Sequence, residues 1–334
     1  MKKTLVALAA LSAISAFAQS SVTISGTIDP SIASSQTTYG DGASVSNSFI
    51  RNSSQGTTQI TFTGVEDLGG GLKALFRYEG DFTAALAAGS GNAIGDGGGD
   101  IFAALQGGWG TFYVGTPNTP SLSVQAARNF IGTKLGSGFG GVNGTGHVRE
   151  NGSLRYDTPT FGGFSAALYY TFGSSATPVA NGGTGLETKA KSDIGLFFNN
   201  GPISAGLSFY QQDGINSMVN LAASWNFGIA KVYVGAHQED KKVAGPTFGT
   251  SKGFNIGADF NISPSLVVYG NYGVLDEDNA ANQDKKIAAL GVKYSLSKRT
   301  SVYGRLVAEN NDNVNVATSI RQVNTALIGI QHNF

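Results

Sequence analysis

Side chains able to do covalent or ligating chemistry are few. His147, His237 and His332 are the only three imidazoles, and the chain has no cysteine. Thiolate nucleophiles, thiolate metal sites and disulfides are thereby excluded. The histidines lack metal-ligand spacing, and no serine sits in a Gly-x-Ser-x-Gly elbow. A catalytic triad need not be contiguous, so a barrel esterase using His147 or His237 as its base is the enzymatic alternative. Gly136-Ser137-Gly138-Phe139-Gly140-Gly141 matches the dinucleotide fingerprint, but polar loop sequence surrounds it where a strand and a helix are required. It reads as a loop. No enzyme activity, cofactor or metal is expected.

What remains is charge placed at alternate positions. Between Leu72 and Phe82 the residues Leu72, Ala74, Phe76, Tyr78, Gly80 and Phe82 share one face of a strand. Lys73, Leu75, Arg77, Glu79 and Asp81 share the other, because successive strand side chains point to opposite sides. Asp100, Arg149, Arg155, Asp157, Asp259 and Arg305 extend the charged set. Charged groups lining a water-filled passage bias which ions cross it. Arg77, Arg149 and Arg155 are expected to attract anions, with Glu79, Asp81, Asp100 and Asp157 opposing them across the lumen. Water is expected to solvate all of these groups.

The elements that must carry such groups are strands. Only 13% of residues are charged, while 20 are Phe, 12 Tyr and 48 Gly. That charge is about half the usual share for a soluble domain, yet no stretch beyond the N-terminus makes a spanning helix. Apolar residues recur with period two instead, as at Phe164–Phe172, Ile203–Tyr210, Val219–Asn226 and Phe254–Phe260. Weaker versions of the pattern bring the strands to sixteen. Short Gly-, Pro- and Asn-rich turns alternate with long polar connections at Ser31–Thr57, Ala84–Gly99, Gly173–Lys189, Glu239–Ser251 and Asn310–Ser319. Such segregation marks an outer-membrane barrel. The fold expected is an all-β, sixteen-stranded antiparallel transmembrane barrel with long extracellular loops and short periplasmic turns. Hydrocarbon tolerates no open sheet edge, so the sheet must close, and sixteen strands enclose a channel.

At the N-terminus, Lys2 and Lys3 precede the apolar run Leu5 to Phe17, and Ala16-Phe17-Ala18 offers a cleavage site. Residues 1–18 are expected to be a signal peptide and residues 19–334 the barrel. Lys and Arg number 22 and Asp and Glu also 22, so the chain is formally neutral. Losing two lysines leaves −2, and no nucleic-acid partner is expected. The acidic run Asp276-Glu277-Asp278 and Asn310-Asn311-Asp312-Asn313 are placed in extracellular loops. A divalent cation bridging them to lipopolysaccharide is the functional alternative to plain solvation.

The run Gly64-Val65-Glu66-Asp67-Leu68-Gly69-Gly70-Gly71-Leu72-Lys73-Ala74 closely resembles the first-turn signature of general porins from betaproteobacteria. Trp109-Gly110-Thr111, Tyr156-Asp157-Thr158-Pro159 and the ending Gly329-Ile330-Gln331-His332-Asn333-Phe334 are similar in the same order. The resemblance implies a homotrimer in the outer membrane, passing small hydrophilic solutes and ions by passive diffusion. It implies that the loop 116–150 folds inward as a constriction and that barrel-assembly machinery reads Phe334. Family porins carry a ladder of arginines, and this sequence departs from it. Gln59, Gly99 or Asp100, and Thr116 occupy ladder positions, and only Arg149 survives. A weakly selective pore is expected. The alternative is a substrate-selective channel in which Phe130 and Phe139 stack a ring-shaped solute.

Overall fold

A computed structural model describes residues 20–82, 99–126, 130–138, 148–173, 178–179, 183–184, 189–242, 249–279, 284–312 and 319–334. The chain opens with β1 (Ser21–Ile28), β2 (Pro30–Tyr39), β3 (Ser44–Asn52) and β4 (Gln59–Gly69). β5 (Leu72–Asp81), β6 (Ile101–Gly107) and β7 (Gly110–Thr116) follow, then helix α1 (Pro120–Ala126). After β8 (Ser153–Asp157) and β9 (Phe164–Thr171), β10 (Pro178–Val179) and β11 (Gly183–Thr184) pair only with each other. β12 (Lys191–Asn200), β13 (Ile203–Gln212), β14 (Asn216–Asn226), β15 (Ala230–Lys241) and β16 (Gly249–Asn261) continue the sheet. β17 (Leu266–Asn279), β18 (Lys285–Ser295), β19 (Thr300–Asn311) and β20 (Ile320–Asn333) complete it.

The main sheet holds 18 strands, every neighbouring pair antiparallel. Two of its staves are interrupted. β1 runs into β2 across the single residue Asp29; β1 pairs with β4, whereas β2 pairs with β3 and β20. β3 and β4 are likewise the upper and lower parts of one descending stave. Merging these two pairs leaves sixteen staves, as the periodicity predicts. β20 closes the ring on β2, and its end meets β1, where Asn333 stands opposite Thr27. The Phe334 N–H donates to the Gly26 carbonyl at 3.0 Å, and the Gly26 N–H returns the bond at 3.1 Å.

Burial is inverted relative to a soluble protein. Outward positions expose large apolar side chains, among them Ile32 (61%), Phe164 (63%), Leu306 (60%) and Ile328 (64%). Inward positions bury polar ones, with Asp193, Ser208 and Asn220 all at 0%. A closed sheet with an oily exterior and a polar interior suits a bilayer.

At one end the connections are residues 70–71, 108–109, 158–163, 201–202, 227–229, 262–265 and 296–299. Gly70 and Gly71 both have positive φ, 61° and 81°, as a two-residue hairpin turn that follows the strand twist requires. At the other end three connections are far longer: residues 82–100, 117–152 and 172–190.

Some expected loops are strands. Ser31–Thr57 is mostly β2 and β3, joined by residues 40–43. Asp276–Asp278 belongs to β17, Asn310 and Asn311 to β19, and much of Glu239–Ser251 to β15 and β16. Backbone pairing continues in these segments although their side chains have left the oily alternation.

Candidate functional site

On β5, residues two apart share a face, so Arg77 and Glu79 are neighbours. The Arg77 guanidinium contacts the Glu79 carboxylate, its Nε lying 3.2 Å from Oε2 and 3.8 Å from Asp100 Oδ2. Asp100, just before β6, accepts the Asn118 N–H at 2.7 Å and the Asn118 side-chain amide at 2.9 Å. Arg149 Nε lies 3.7 Å from the same carboxylate. On β8, Arg155 and Asp157 again share a face and form a two-point pair at 2.7 and 3.1 Å. Arg155 Nη1 also donates to the Asn118 carbonyl at 2.6 Å. Through Asn118, three cations and three anions form one network.

This geometry corrects an expectation. Glu79, Asp100 and Asp157 do not face the arginines across the lumen; they stand beside them on the same wall. Period two dictates it for Arg77–Glu79 and Arg155–Asp157. Asp81, half-buried, instead lies where its charge acts on Lys134. Lys73 is exposed toward the short-turn end, opposite Gln106. Asp259 is buried on β16, paired in register with Lys231.

Arg305 also departs from expectation. It points inward, but only 2% of it is exposed, and protein oxygens replace water around it. Its Nε donates to the Tyr269 hydroxyl (2.9 Å), its Nη1 to the carbonyls of Ser54 (2.7 Å) and Leu135 (2.8 Å), and its Nη2 to Gln55 Oε1 (2.7 Å).

The described parts of the loop 116–150 lie against inward-facing wall residues, and the loop is not structureless. Thr119 caps α1, its Oγ1 accepting the Leu122 N–H at 3.2 Å, and Pro120 takes the first helical position, where no N–H is needed. The Ser121 N–H donates to Asp193 Oδ2 at 2.7 Å, and Ser121 Oγ meets Ser208 Oγ at 3.1 Å. Gln125 Nε2 donates to Asn220 Oδ1 at 3.1 Å, and Asn220 Nδ2 to Ser208 Oγ at 3.0 Å. Gly195 makes room on this ledge, since a Cβ there would stand 2.7 Å from the Pro120 ring. Where the loop returns to the wall, Lys191 Nζ lies 2.6 Å from Glu150 Oε2.

Further along, the loop reaches the opposite wall. The Phe130 ring packs on Tyr269 with centroids 4.5 Å apart, with Lys293 Nζ 5.6 Å from its centre. One face of Phe130 is therefore engaged with the wall, and Phe139 lies outside the described residues, as does His147. Lys134 Nζ donates to Thr57 Oγ1 at 2.7 Å, and Asn271 Nδ2 to the Gly136 carbonyl at 3.1 Å. Burial lowers the Lys134 pKa, with Asp81 and Asp29 opposing that shift. Burial raises the Asp100 pKa, helped by Glu79 and countered by Arg149 and Arg77.

The ladder departures have a local reason at one position: a side chain on Gly99 would run into Glu79. Sequence reasoning missed Asp193, Asn220, Asn118 and Asp29. The alternation carried a signal for the first two, since both occupy inward positions, Asp193 one residue before the predicted start of its strand.

Comparison with known proteins gives a consistent picture. A family model described as Gram-negative porin matches residues 4–314. The outer membrane porin protein 32 of Delftia acidovorans is 32% identical, over 93% of this chain and 90% of that protein. The major outer membrane protein P.IB of Neisseria meningitidis is 26% identical, with both chains fully covered. Among solved structures, the anion-selective porin from Comamonas acidovorans superimposes with a TM-score of 0.79 at 26% identity, covering 95% of this chain and all of that one.

Proposed function

The chain belongs to the Gram-negative porin family, and from that membership we propose a weakly ion-selective general diffusion pore, narrowed by the loop 116–150. The protein is an outer-membrane porin, a channel for passive diffusion of small hydrophilic solutes and ions, and not an enzyme.

The observation that carries weak selectivity is the network joined by Asn118. Arg77, Arg149 and Arg155 are matched by Glu79, Asp100 and Asp157 within contact distance. Opposite charges a few ångströms apart project little net field into the passage, whereas an unmatched ring of one sign would select strongly. The Comamonas protein is described as anion-selective; in this chain Gln59 and Thr116 leave its pore wall without the cations that the family ladder would supply. The reversal potential of the purified protein in a planar bilayer under a salt gradient tests this. A value near zero is expected, and a value close to the limit for an ideal anion or cation channel would refute it.

A homotrimer accords with the family resemblance and with one feature of the outer wall. Ser34, Gln36 and Asn324 alternate with inward residues and so face outward, beside Ala288, Ala308 and Ala326, around a shallow cavity of about 480 Å³. Polar and small side chains suit protein better than lipid tails. Cleavage after Ala18, recognition of Phe334 by assembly machinery, and contact with lipopolysaccharide at the long-loop end complete the reading.

A further inference from the structure

Two staves of this barrel break at the same height, and the break is filled rather than open. Asp29, between β1 and β2, is fully buried. Its carboxylate accepts the N–H groups of Gln55 (2.5 Å) and Gly56 (2.7 Å) and the Tyr303 hydroxyl (2.5 Å). Its own N–H donates to Thr58 Oγ1 at 3.0 Å, and its carbonyl accepts the Ser53 N–H at 2.9 Å. Ser53 itself adopts a left-handed φ of 58°, a conformation that non-glycine residues seldom take. Residues 53–58 thus leave the ladder, and their freed backbone groups find partners inside the barrel. The Ser54 carbonyl and the Gln55 side chain receive Arg305.

One guanidinium therefore touches both the broken stave and the loop, because the same Nη1 that bonds Ser54 also bonds the Leu135 carbonyl. The loop residues on either side of Leu135 dock close by. Lys134 reaches Thr57 within the break, and Gly136 receives Asn271 from β17, the strand that supplies Tyr269 to Arg305. Three consecutive loop residues thus bind one small region of wall.

We propose that Arg305 is a positioning residue for permeation: seated in the socket formed by the two interrupted staves, it fixes the tip of the loop 116–150 and thereby the width of the pore. The inference rests on reading that loop as the constriction. A purely structural alternative gives Arg305 only the task of satisfying the broken backbone. That role accounts for Ser54 and Gln55 but not for Leu135, which belongs to the loop.

The test uses the full-length protein in planar bilayers, with liposome swelling in raffinose as a second readout. Arg305→Met keeps the side-chain stem and removes every donor. It should broaden the single-channel current into several levels and raise the raffinose swelling rate several-fold, while the folded, heat-modifiable barrel is retained. Native conductance and swelling in that variant would overturn the proposal.

The absence of native cysteine permits a clean rescue. A Cβ on Gly136 would stand 2.7 Å from Ala289 Cβ, and a modest shift reaches the roughly 3.5–4.5 Å that a disulfide needs. The φ of 90° at Gly136 strains a cysteine there in both redox states alike, so the reduced protein is the reference. Gly136→Cys with Ala289→Cys in the Arg305→Met background should restore native conductance when oxidised and lose it when reduced. Equal behaviour in the two states would overturn the proposal. Should Arg305→Met fail to fold, the cysteine pair in the native background still decides. Oxidation should leave conductance unchanged there, because the loop tip already sits at that wall, and an altered conductance would overturn the inference. An unmodified protein that forms no channel would instead refute the diffusion-pore reading itself.

Discussion

Asn118 holds Asp100 at two points, backbone N–H to one carboxylate oxygen at 2.7 Å and side-chain amide to the other at 2.9 Å. The grip ties the start of the loop 116–150 to the start of β6. With Arg155 on the Asn118 carbonyl it ties β8 in as well. Burial raises the pKa of the Asp100 carboxylate and Glu79 adds to the effect, against the pull of Arg149 and Arg77.

Asp100→Asn should therefore leave one more positive charge unmatched on the wall and move the reversal potential toward anions. In the native protein the same shift should begin on acidification, at a higher pH than an unperturbed aspartate would need. The sign for stability follows from linkage. A raised folded pKa means that the folded state keeps the proton longer than the unfolded chain does, so ionisation costs stability as pH rises through that window. Asp100→Asn should remove that part of the pH dependence from thermal unfolding. A variant whose selectivity matched the native protein at neutral pH, where native Asp100 is ionised, would take Asp100 off the conduction path.

Arg149, the one ladder arginine that the family resemblance keeps, leans on Asp100 from the loop's returning end. Arg149→Glu would place three acids, Glu79, Asp100 and the new carboxylate, around Arg77. The reversal potential should swing toward cations, by more than Asp100→Asn moves it the other way, since the first change is two charges and the second is one. Measurement in a salt gradient at neutral pH checks both sign and ranking. An unmoved potential would remove Arg149 from the pore wall.

The barrel itself was legible because period two records which residues meet lipid. Phe164, Leu168 and Phe172 expose their side chains as the alternation requires. The stretch Ser31–Thr57 escaped detection for a physical reason. Ile32 and Ile50 are its outward apolar pair, but the outward residues that follow them, Ser34, Gln36, Ser46 and Ser48, are polar, so the oily alternation by which the other strands announce themselves stops after one step. Local pairing was also recoverable: Arg77 and Glu79 are two residues apart, and that spacing outweighs any picture of charges facing across a lumen. Contacts such as Asp29 with Tyr303, or Arg305 with Leu135, depend on where the ring closes and in what register. No window of sequence contains them.

Closure supplies a prediction of its own. Gly26 exchanges backbone hydrogen bonds with Phe334, and the Phe334 ring lies where a Gly26 side chain would be. Gly26→Val should prevent the last strand from seating and reduce the heat-modifiable folded fraction severalfold in refolding assays. Deleting Phe334 should act in the same direction in cells, where on the proposed reading assembly machinery also recognises the terminus. If the deletion refolds normally in detergent yet fails to accumulate in the membrane, recognition outweighs packing. Normal accumulation of both variants would refute a role for this contact.

The outward face between β18 and β3, where Ser34, Gln36 and Asn324 interrupt the oily surface, makes the proposed trimer testable without touching the pore. Ala326 is exposed and faces outward between Ser34 and Leu306, its register partners on β2 and β19. On the proposed trimer reading, burial of this face against another copy would account for Ser34, Gln36 and Asn324 standing where lipid would otherwise meet them. Ala326→Arg places a charge whose cost on a lipid-facing strand is about 2–4 kcal/mol at the membrane midplane and smaller near the interface. In a packed subunit interface it would find no water at all. The variant should fold in detergent, because strand pairing is untouched, and the expected outcome is that the native protein sediments as a trimer and the variant as a monomer. Its single-channel conductance should equal one third of the native step. Unchanged trimers would place the subunit contact on another part of the wall, since a buried arginine at Ala326 could not be accommodated in silence.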